Sequence, residues 1–255
     1  MVKKINIPLV ILAGGRGTRI SEYTKTIPKP MIKIGNKPIL VHIINHYLKF
    51  GNKEFFIALG YKSKVVQNYF KNFKKFDQPF SFKTNKKKIS ITLSYTGKNT
   101  LTGGRIKRMS KFIDKNENFM FTYGDGVSNV NIRQLMKFHK KNKKIITVTA
   151  VRPPARFGEI TIKNKCVDTF KEKPQVKEGW INGGFFVAKY EFFNYIKNDN
   201  TILENKPLEK VTKLKQLYAF KHNGFWKCMD TLRDKEVLEK IYKINKFNWK
   251  KIKEY

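Results

Sequence analysis

The sequence predicts an α/β fold: a mixed, mostly parallel sheet flanked by helices, with a smaller β-rich part beyond position 150. Three observations on the 255-residue chain point to it. First, Leu9-Val10-Ile11-Leu12-Ala13 is apolar without alternation and runs straight into Gly14-Gly15-Arg16-Gly17-Thr18-Arg19. A strand buried on both faces therefore ends where the backbone needs freedom that side chains deny it. Second, apolar strands alternate with helical stripes to about position 150, the rhythm of a parallel sheet. Third, from Glu159 the pieces become short and β-type.

Each element follows from local pattern. Ile39, Leu40, Ile43, Ile44, Tyr47 and Leu48 form a helical stripe that starts after Pro38 and stops at Gly51. His42 and His46 lie four apart on it with no acidic or cysteine partner nearby, which favours packing over a metal pair. Phe55 to Leu59 reads as a buried strand, and Ser63 as the cap of a helix to about Phe73. Residues 74 to 88 lose the pattern and read as a surface excursion. Ile89, Ile91, Leu93 and Tyr95 alternate with hydroxyls, as in a half-buried strand. A second glycine-bearing loop, Thr96 to Arg105, then precedes a helix with Ile106, Met109, Phe112 and Ile113 on one side.

The strand Phe119 to Tyr123 ends in Gly124-Asp125-Gly126. Asp125 there is placed either to hold a cation or to cap the next helix, which carries Ile132, Leu135, Met136 and His139. Ile145 to Val151 is a strand, followed by a loop through Gly158. The β pieces are Ile160 to Ile162, Val167 to Phe170, and Ile181 to Val187, the last broken by Asn182-Gly183-Gly184. Helices are expected at about Glu191 to Lys197 and Pro207 to Lys215, and a strand at Leu217 to Lys221. Asp230 ends an apolar strand and either caps the final helix or joins Asp125 at a metal site.

Composition narrows the function classes. Formal net charge is +35, yet only eight of the 54 basic residues are arginine, and the lysines are spread over the whole chain. Such a bias is what an AT-rich coding sequence writes onto solvated faces, and no nucleic-acid-binding motif accompanies it, so no specific nucleic acid is expected. The excess charge should still draw in phosphorylated substrates. No apolar run approaches the roughly 20 residues of a membrane-spanning helix, and the apolar stretch after Met1-Val2-Lys3-Lys4 is too short for a secretory signal. Cys166 and Cys228 form neither a disulfide framework nor a zinc pattern. A cytoplasmic protein is expected.

The first loop is the chemical centre. Bare amides with Arg16, Thr18 and Arg19 beside them, and Lys29 held between Pro28 and Pro30, are suited to phosphate. Neither the Walker pattern nor the dinucleotide fingerprint is present. The string Leu-Ala-Gly-Gly-Arg-Gly-Thr-Arg followed by Pro-Lys-Pro-Met instead resembles the signature of the sugar-1-phosphate nucleotidyltransferases. Six further strings extend the likeness over nearly the whole chain: Thr-Gly-Gly-Arg-x-Lys-Arg, Phe-Thr-Tyr-Gly-Asp-Gly-Val, Arg-Phe-Gly, Glu-Lys-Pro, Ile-Asn-Gly-Gly-Phe-Phe-Val and Phe-Trp-x-x-Met-Asp-Thr-Leu-Arg-Asp. They are similar to the branch that makes CDP-glucose for deoxysugars of surface polysaccharide. Position 27 is Ile where that branch usually has lysine, position 16 is Arg where it usually has an apolar residue, and residues 74 to 95 are the least similar.

The resemblance implies a Rossmann-like single domain, with residues 1–150 binding nucleotide, 151–230 binding sugar phosphate, and 231–255 forming a C-terminal helix and tail. It implies CTP and a sugar 1-phosphate as substrates, magnesium as cofactor, and a homo-oligomer. Arg19, Lys29, Asp125 and Lys173 are the implied catalytic residues. Leu12, Ala13, Gly14, Gly15, Arg16, Gly17, Thr18 and Arg19 would cradle the triphosphate with Lys29 and Asp125, and Thr100, Gly104 and Arg105 would read the pyrimidine. Glu172, Lys173, Asn182 and Gly183 would hold the sugar phosphate, and Asp125 and Asp230 the magnesium.

Overall fold

The computed structural model describes residues 7–153, 159–163, 165–171 and 179–245. In chain order the strands are β1 (Leu9–Ala13), β2 (Lys33–Ile34), β3 (Lys37–Pro38), β4 (Glu54–Leu59), β5 (Pro79–Thr84), β6 (Lys87–Tyr95), β7 (Asn118–Tyr123), β8 (Gly126–Ser128), β9 (Ile146–Val151), β10 (Glu159–Lys163), β11 (Cys166–Lys171), β12 (Ile181–Lys189), β13 (Leu217–His222) and β14 (Trp226–Cys228). The α-helices are α1 (Ser21–Thr24), α2 (Ile39–Lys49), α3 (Ser63–Tyr69), α4 (Thr102–Arg108), α5 (Ile132–Asn142), α6 (Lys206–Lys213) and α7 (Leu232–Asn245).

Eight strands form one sheet in the order β13-β9-β12-β7-β1-β4-β6-β5. Strands β7, β1, β4 and β6 are mutually parallel, as are β13 and β9, while β12 and β5 run antiparallel to their neighbours. The mixed, mostly parallel sheet expected from the sequence is thus present. Strand period two divides the core between its faces: Leu9, Ile11, Phe55, Ile57 and Leu59 join one buried cluster, and Val10, Leu12, Phe56 and Ala58 the other. The first cluster takes in the apolar stripes of α2, α5 and α7; the second is covered by α4, α6 and the 3-10 turn Tyr190–Tyr195.

Several elements differ from expectation. The segment read as an excursion contains β5, whose alternating Phe80 and Phe82 pack on Phe70 at ring separations of 5.7 and 5.0 Å. With β5 on one side and β4 on the other, β6 is an interior strand, so Thr92 and Ser94 are buried rather than exposed, while Tyr95 at its end is exposed. Helix α3 ends at Tyr69, and its N-cap is Lys62 in the left-handed region, not Ser63. Residues 190 to 195 wind as a 3-10 helix. The Asn182-Gly183-Gly184 step does not break β12 but shifts its register against β9. Strands β12 and β13 belong to the main sheet, so the β-rich piece apart from it is the β10–β11 hairpin.

Parallel order has one consequence for chemistry: β1, β4, β6 and β7 all end on the same side, and their next residues are Gly14, Gly60, Thr96-Gly97 and Gly124. In open α/β sheets ligands collect outside such carboxyl ends, at the point where strand order reverses. Here β1 leads to β4 on one side and has β7 on the other, so that point is the β1/β7 boundary.

Candidate active site

Leu12 and Ala13 are buried as the last residues of β1, and the loop that follows opens outward. Among the described residues, a Cβ at Gly15 would meet nothing within 4 Å. Gly17 has φ of 64°, and a Cβ there would lie 2.9 Å from Thr24 Cγ2 and 3.2 Å from Lys29 Cβ, so glycine is what lets the loop close over Lys29. Arg16, Thr18 and Arg19 are exposed. Arg16 donates to Asn99 Oδ1 at 3.0 Å, joining the first loop to the second.

Lys29 is buried in a 3-10 turn stiffened by Pro28 and Pro30. Its ammonium donates to Asp125 Oδ2 at 3.0 Å and to Asp230 Oδ1 at 2.6 Å, and Arg19 Nη1 donates to Asp230 Oδ2 at 2.8 Å. Burial pushes the Lys29 pKa down, but the two carboxylates more than reverse this, so the ammonium titrates above ordinary lysine. Two cations and two carboxylates therefore meet just outside β1 and β7.

Two pieces of local structure bring the carboxylates together. Strands β8 and β14 pair antiparallel with Cys228 opposite Gly126, and Met229 N donates to Asp125 O at 2.9 Å, which registers residue 125 against residue 230. Other residues cap both helices, which removes the capping alternative at each aspartate. Asn131 Oδ1 accepts from Arg133 N and Gln134 N at the start of α5, so Asp125 caps nothing there. At α7, Thr231 and Asp234 cap reciprocally: Asp234 N donates to Thr231 Oγ1 at 3.2 Å, and Asp234 Oδ2 accepts from Thr231 N at 3.0 Å. Asp230 is left to face Lys29 and Arg19. Helix α7 is in turn locked to the β2–β3 hairpin, through Gly35 N donating to Glu239 and Tyr242 Oη to Asn36.

The second loop is organised differently. Gly103 and Gly104 lie in the first turn of α4, and Leu101 N donates to Asp199 O while Gly103 N and Gly104 N donate to Thr201 O. A Cβ on Gly104 would lie 2.5 Å from Asp199 Cα, and one on Gly103 2.7 Å from Thr201 O. The missing side chain of Gly104 admits the 199–201 backbone, and those helix-end amides have protein partners. Arg105 is helical and buried, yet it reaches the first loop. Its Nη2 donates to Gly14 O at 3.0 Å, and its Nη1 to Thr96 Oγ1 at 2.8 Å, Gly97 O at 2.8 Å and Leu59 O at 3.2 Å. The guanidinium thus stitches the ends of β1, β4 and β6 together. Thr100, five positions before it, is buried close against Gly97.

On the far side of β7, Asn182 Nδ2 donates to Tyr123 Oη at 3.3 Å and its Oδ1 accepts from Gly184 N at 2.8 Å, while Gly183 O accepts from Trp226 Nε1 at 2.8 Å. Glu172, Lys173 and the Arg156-Phe157-Gly158 string lie outside the described residues. His42 donates through Nε2 to Ile34 O at 2.9 Å, and His46 packs edge-on to Phe50 and Phe185. Burial drops their pKa values to about 4 and about 3, so both are neutral packing groups.

Asp125 and Asp230 fit a hard divalent ion. Magnesium is ordinarily held by one or two carboxylates together with substrate phosphates, and these two already converge on one cation, Lys29 Nζ.

Comparison with known proteins identifies the family and the fold. A sequence model of the family described as nucleotidyl transferase matches residues 9–234. The chain is 44% identical to glucose-1-phosphate cytidylyltransferase of Salmonella typhimurium, over 94% of this chain and 98% of that protein. It is 37% identical, over the same shares, to a probable glucose-1-phosphate cytidylyltransferase of Bacillus subtilis. Among solved structures, HddC from Yersinia pseudotuberculosis superposes with a TM-score of 0.70 at 21% identity, covering 92% of this chain and 99% of that one. A UDP-glucose pyrophosphorylase complexed with UDP-glucose gives 0.68 at 18% identity, covering 94% and 100%. At those identities the structural likeness concerns the fold, and the sequence match over residues 9–234 decides the rest: the chain belongs to the nucleotidyl transferase family.

Proposed function

We propose that this chain transfers a cytidylyl group from CTP to α-D-glucose 1-phosphate, giving CDP-glucose and pyrophosphate. One observation carries the reaction class: Lys29 and Arg19 meet Asp125 and Asp230 at the carboxyl ends of β1 and β7, under a glycine loop with open space beside Gly15. The choice of CTP and glucose 1-phosphate is supported by the likeness to the Salmonella typhimurium enzyme along nearly the whole chain.

A phosphate oxygen of the sugar phosphate attacks the α-phosphorus of CTP; the new O–P bond forms as the bond to the β-phosphate oxygen breaks, and pyrophosphate leaves. Such a step needs alignment and charge neutralisation more than acid or base groups. The backbone from Leu12 to Thr18 cradles the triphosphate, with Arg16 and Arg19 at its rim. Lys29 turns from the two aspartates to the phosphate chain as anions arrive, keeping a cation in the cleft throughout. Asp125 and Asp230 would hold magnesium, which would supply further charge neutralisation on the phosphates. Lys173 takes the sugar phosphate, and Glu172, Asn182 and Gly183 take the sugar hydroxyls. Arg105, Thr100 and the backbone near Gly14 form the edge that meets the base, the guanidinium giving up one carbonyl to donate to the cytosine carbonyl. The same reading has the reaction run in the cytoplasm, in a homo-oligomer that supplies CDP-glucose to deoxysugar synthesis.

The test is turnover of CTP, UTP, GTP and dTTP, each with glucose 1-phosphate and pyrophosphate release measured. CTP should lead UTP by about 10-fold to 100-fold, the cost of one mismatched polar contact. Equal use of UTP or dTTP overturns the cytidylyl assignment.

A further inference from the structure

Glu204 belongs to none of the motifs above, yet its side chain joins two of the regions they mark. It follows the buried Leu203 in the approach to α6. Its Oε1 accepts from the hydroxyl of Tyr123, the last residue of β7, and its Oε2 accepts from Thr102 Oγ1 at 2.8 Å, at the start of α4. Tyr123 in turn accepts from Asn182 Nδ2, and Thr102 accepts from Leu203 N at 2.9 Å. In a chain with 54 lysines and arginines, this carboxylate sits between two hydroxyls.

We propose that Glu204 is a positioning residue that couples the sugar-phosphate side of the site, through Tyr123 and Asn182, to the nucleotide side, through Thr102 and the helix carrying Arg105. The inference rests on the functional reading above. Its physical basis is the direction of the hydrogen bonds. An ionised carboxylate has no proton to give, whereas Tyr, Thr and Asn side chains can all both donate and accept. Glu204 therefore obliges both hydroxyls to donate toward it. Tyr123 then has only lone pairs left for Asn182, which fixes the Asn182 amide with Nδ2 toward Tyr123 and Oδ1 toward Gly184 N. One Nδ2 hydrogen of Asn182 remains for a sugar hydroxyl. Burial raises the Tyr123 phenol pKa, and the negative charge of Glu204 raises it further, so the donor proton is retained at every working pH. On the other arm, the bond to Thr102 holds the first turn of α4, and with it the Arg105 side chain that reaches Gly14.

The experiment measures KM for each substrate and kcat, with thermal melting as the control for folding. Tyr123→Phe deletes only the sugar-side arm and should raise KM for glucose 1-phosphate while leaving that for CTP near wild type. Thr102→Val deletes the nucleotide-side arm together with the bond from Leu203 N and should do the reverse, with melting read alongside. Glu204→Gln keeps the shape but brings an amide that must donate on one side, so it should raise the KM of the substrate on that side by up to about 10-fold, one hydrogen bond's worth, with kcat changed less. If Glu204→Gln melts as wild type and leaves both KM values unchanged, or if the two single-arm variants affect the opposite substrates, the coupling role is overturned. Wild-type turnover with CTP and glucose 1-phosphate, run alongside, tells failure of the coupling from failure of the functional reading.

Discussion

Two glycine clusters in this chain look alike as sequence and behave as opposites in the fold. Gly14-Gly15-x-Gly17 leaves a strand end open at Gly15, where a Cβ would meet none of the described residues, while Gly14 admits the Arg105 guanidinium and Gly17 bends the loop over Lys29. Gly103-Gly104 is closed, its missing side chains replaced by the backbone of residues 199 to 201, which also takes up the amides of the helix start. Glycine thus marks close approach in both places, but beside Gly15 space stays open, whereas at Gly103-Gly104 the protein itself fills it. Arg105 links the two, since it springs from the closed cluster and its guanidinium ends on a carbonyl of the open one.

The contrast breaks most sharply at the carboxylates beneath the open loop. Asp125→Asn and Asp230→Asn should each fold, because neither residue caps a helix, and should each lower turnover by roughly 100-fold or more through loss of a ligand charge. Near-normal rates at saturating magnesium would remove that aspartate from the metal site. A matched pair of glycine substitutions comes next. Gly104→Ala places a methyl 2.5 Å from Asp199 Cα and should cost about 2 to 3 kcal/mol of stability despite alanine's better helix propensity, read as a lower denaturation midpoint. Gly15→Ala has room in the free protein and should melt as wild type while raising KM for CTP. Equal melting of the two variants would erase the distinction between the clusters.

Arg105→Ala sharpens the link between them. Losing its bonds to Gly14 O, Leu59 O, Thr96 and Gly97 O should lower the melting temperature. It should also narrow the CTP to UTP preference by about 10-fold, as expected when one polar contact to the base is removed; an unchanged preference would leave Arg105 a purely structural stitch. The smallest effect concerns the scaffold under both loops. Burial holds His42 and His139 at pKa about 4 and His46 at about 3. The unfolded chain, with histidines near 6.5, binds more protons below that pH. Stability should be full above about pH 6.5 and fall as pH drops toward 4, with a limiting slope of roughly 1.4 kcal/mol per pH unit for each histidine. Chemical denaturation at pH 7.5 and pH 5.5 checks the sign.

Much of this was legible along the chain because its causes are local. The open loop, the proline-flanked Lys29, the stripe of α2 and the strand ends at Tyr123 and Leu59 each follow from backbone freedom, side-chain periodicity or burial within a few residues. Strand β5 was not legible: Phe80-Ser81-Phe82 has the period of a strand, but its charged surroundings hid it, and Phe70 supplies the surface on which it packs.

What the sequence by itself determined, then, is the set of chemical groups and the local shapes that present them: amides and cations for phosphate, carboxylates at strand ends, a β-α rhythm that implies a parallel sheet. Tertiary structure alone decided which groups meet. Asp125 and Asp230 face one ammonium because β8 pairs with β14 in one register. Gly104 is closed because a segment some hundred positions away crosses it, and Glu204 bridges Tyr123 and Thr102 for the same kind of reason. Such contacts depend on strand order and chain crossings, and periodicity or propensity, which report on a residue's immediate neighbours, carry no record of them.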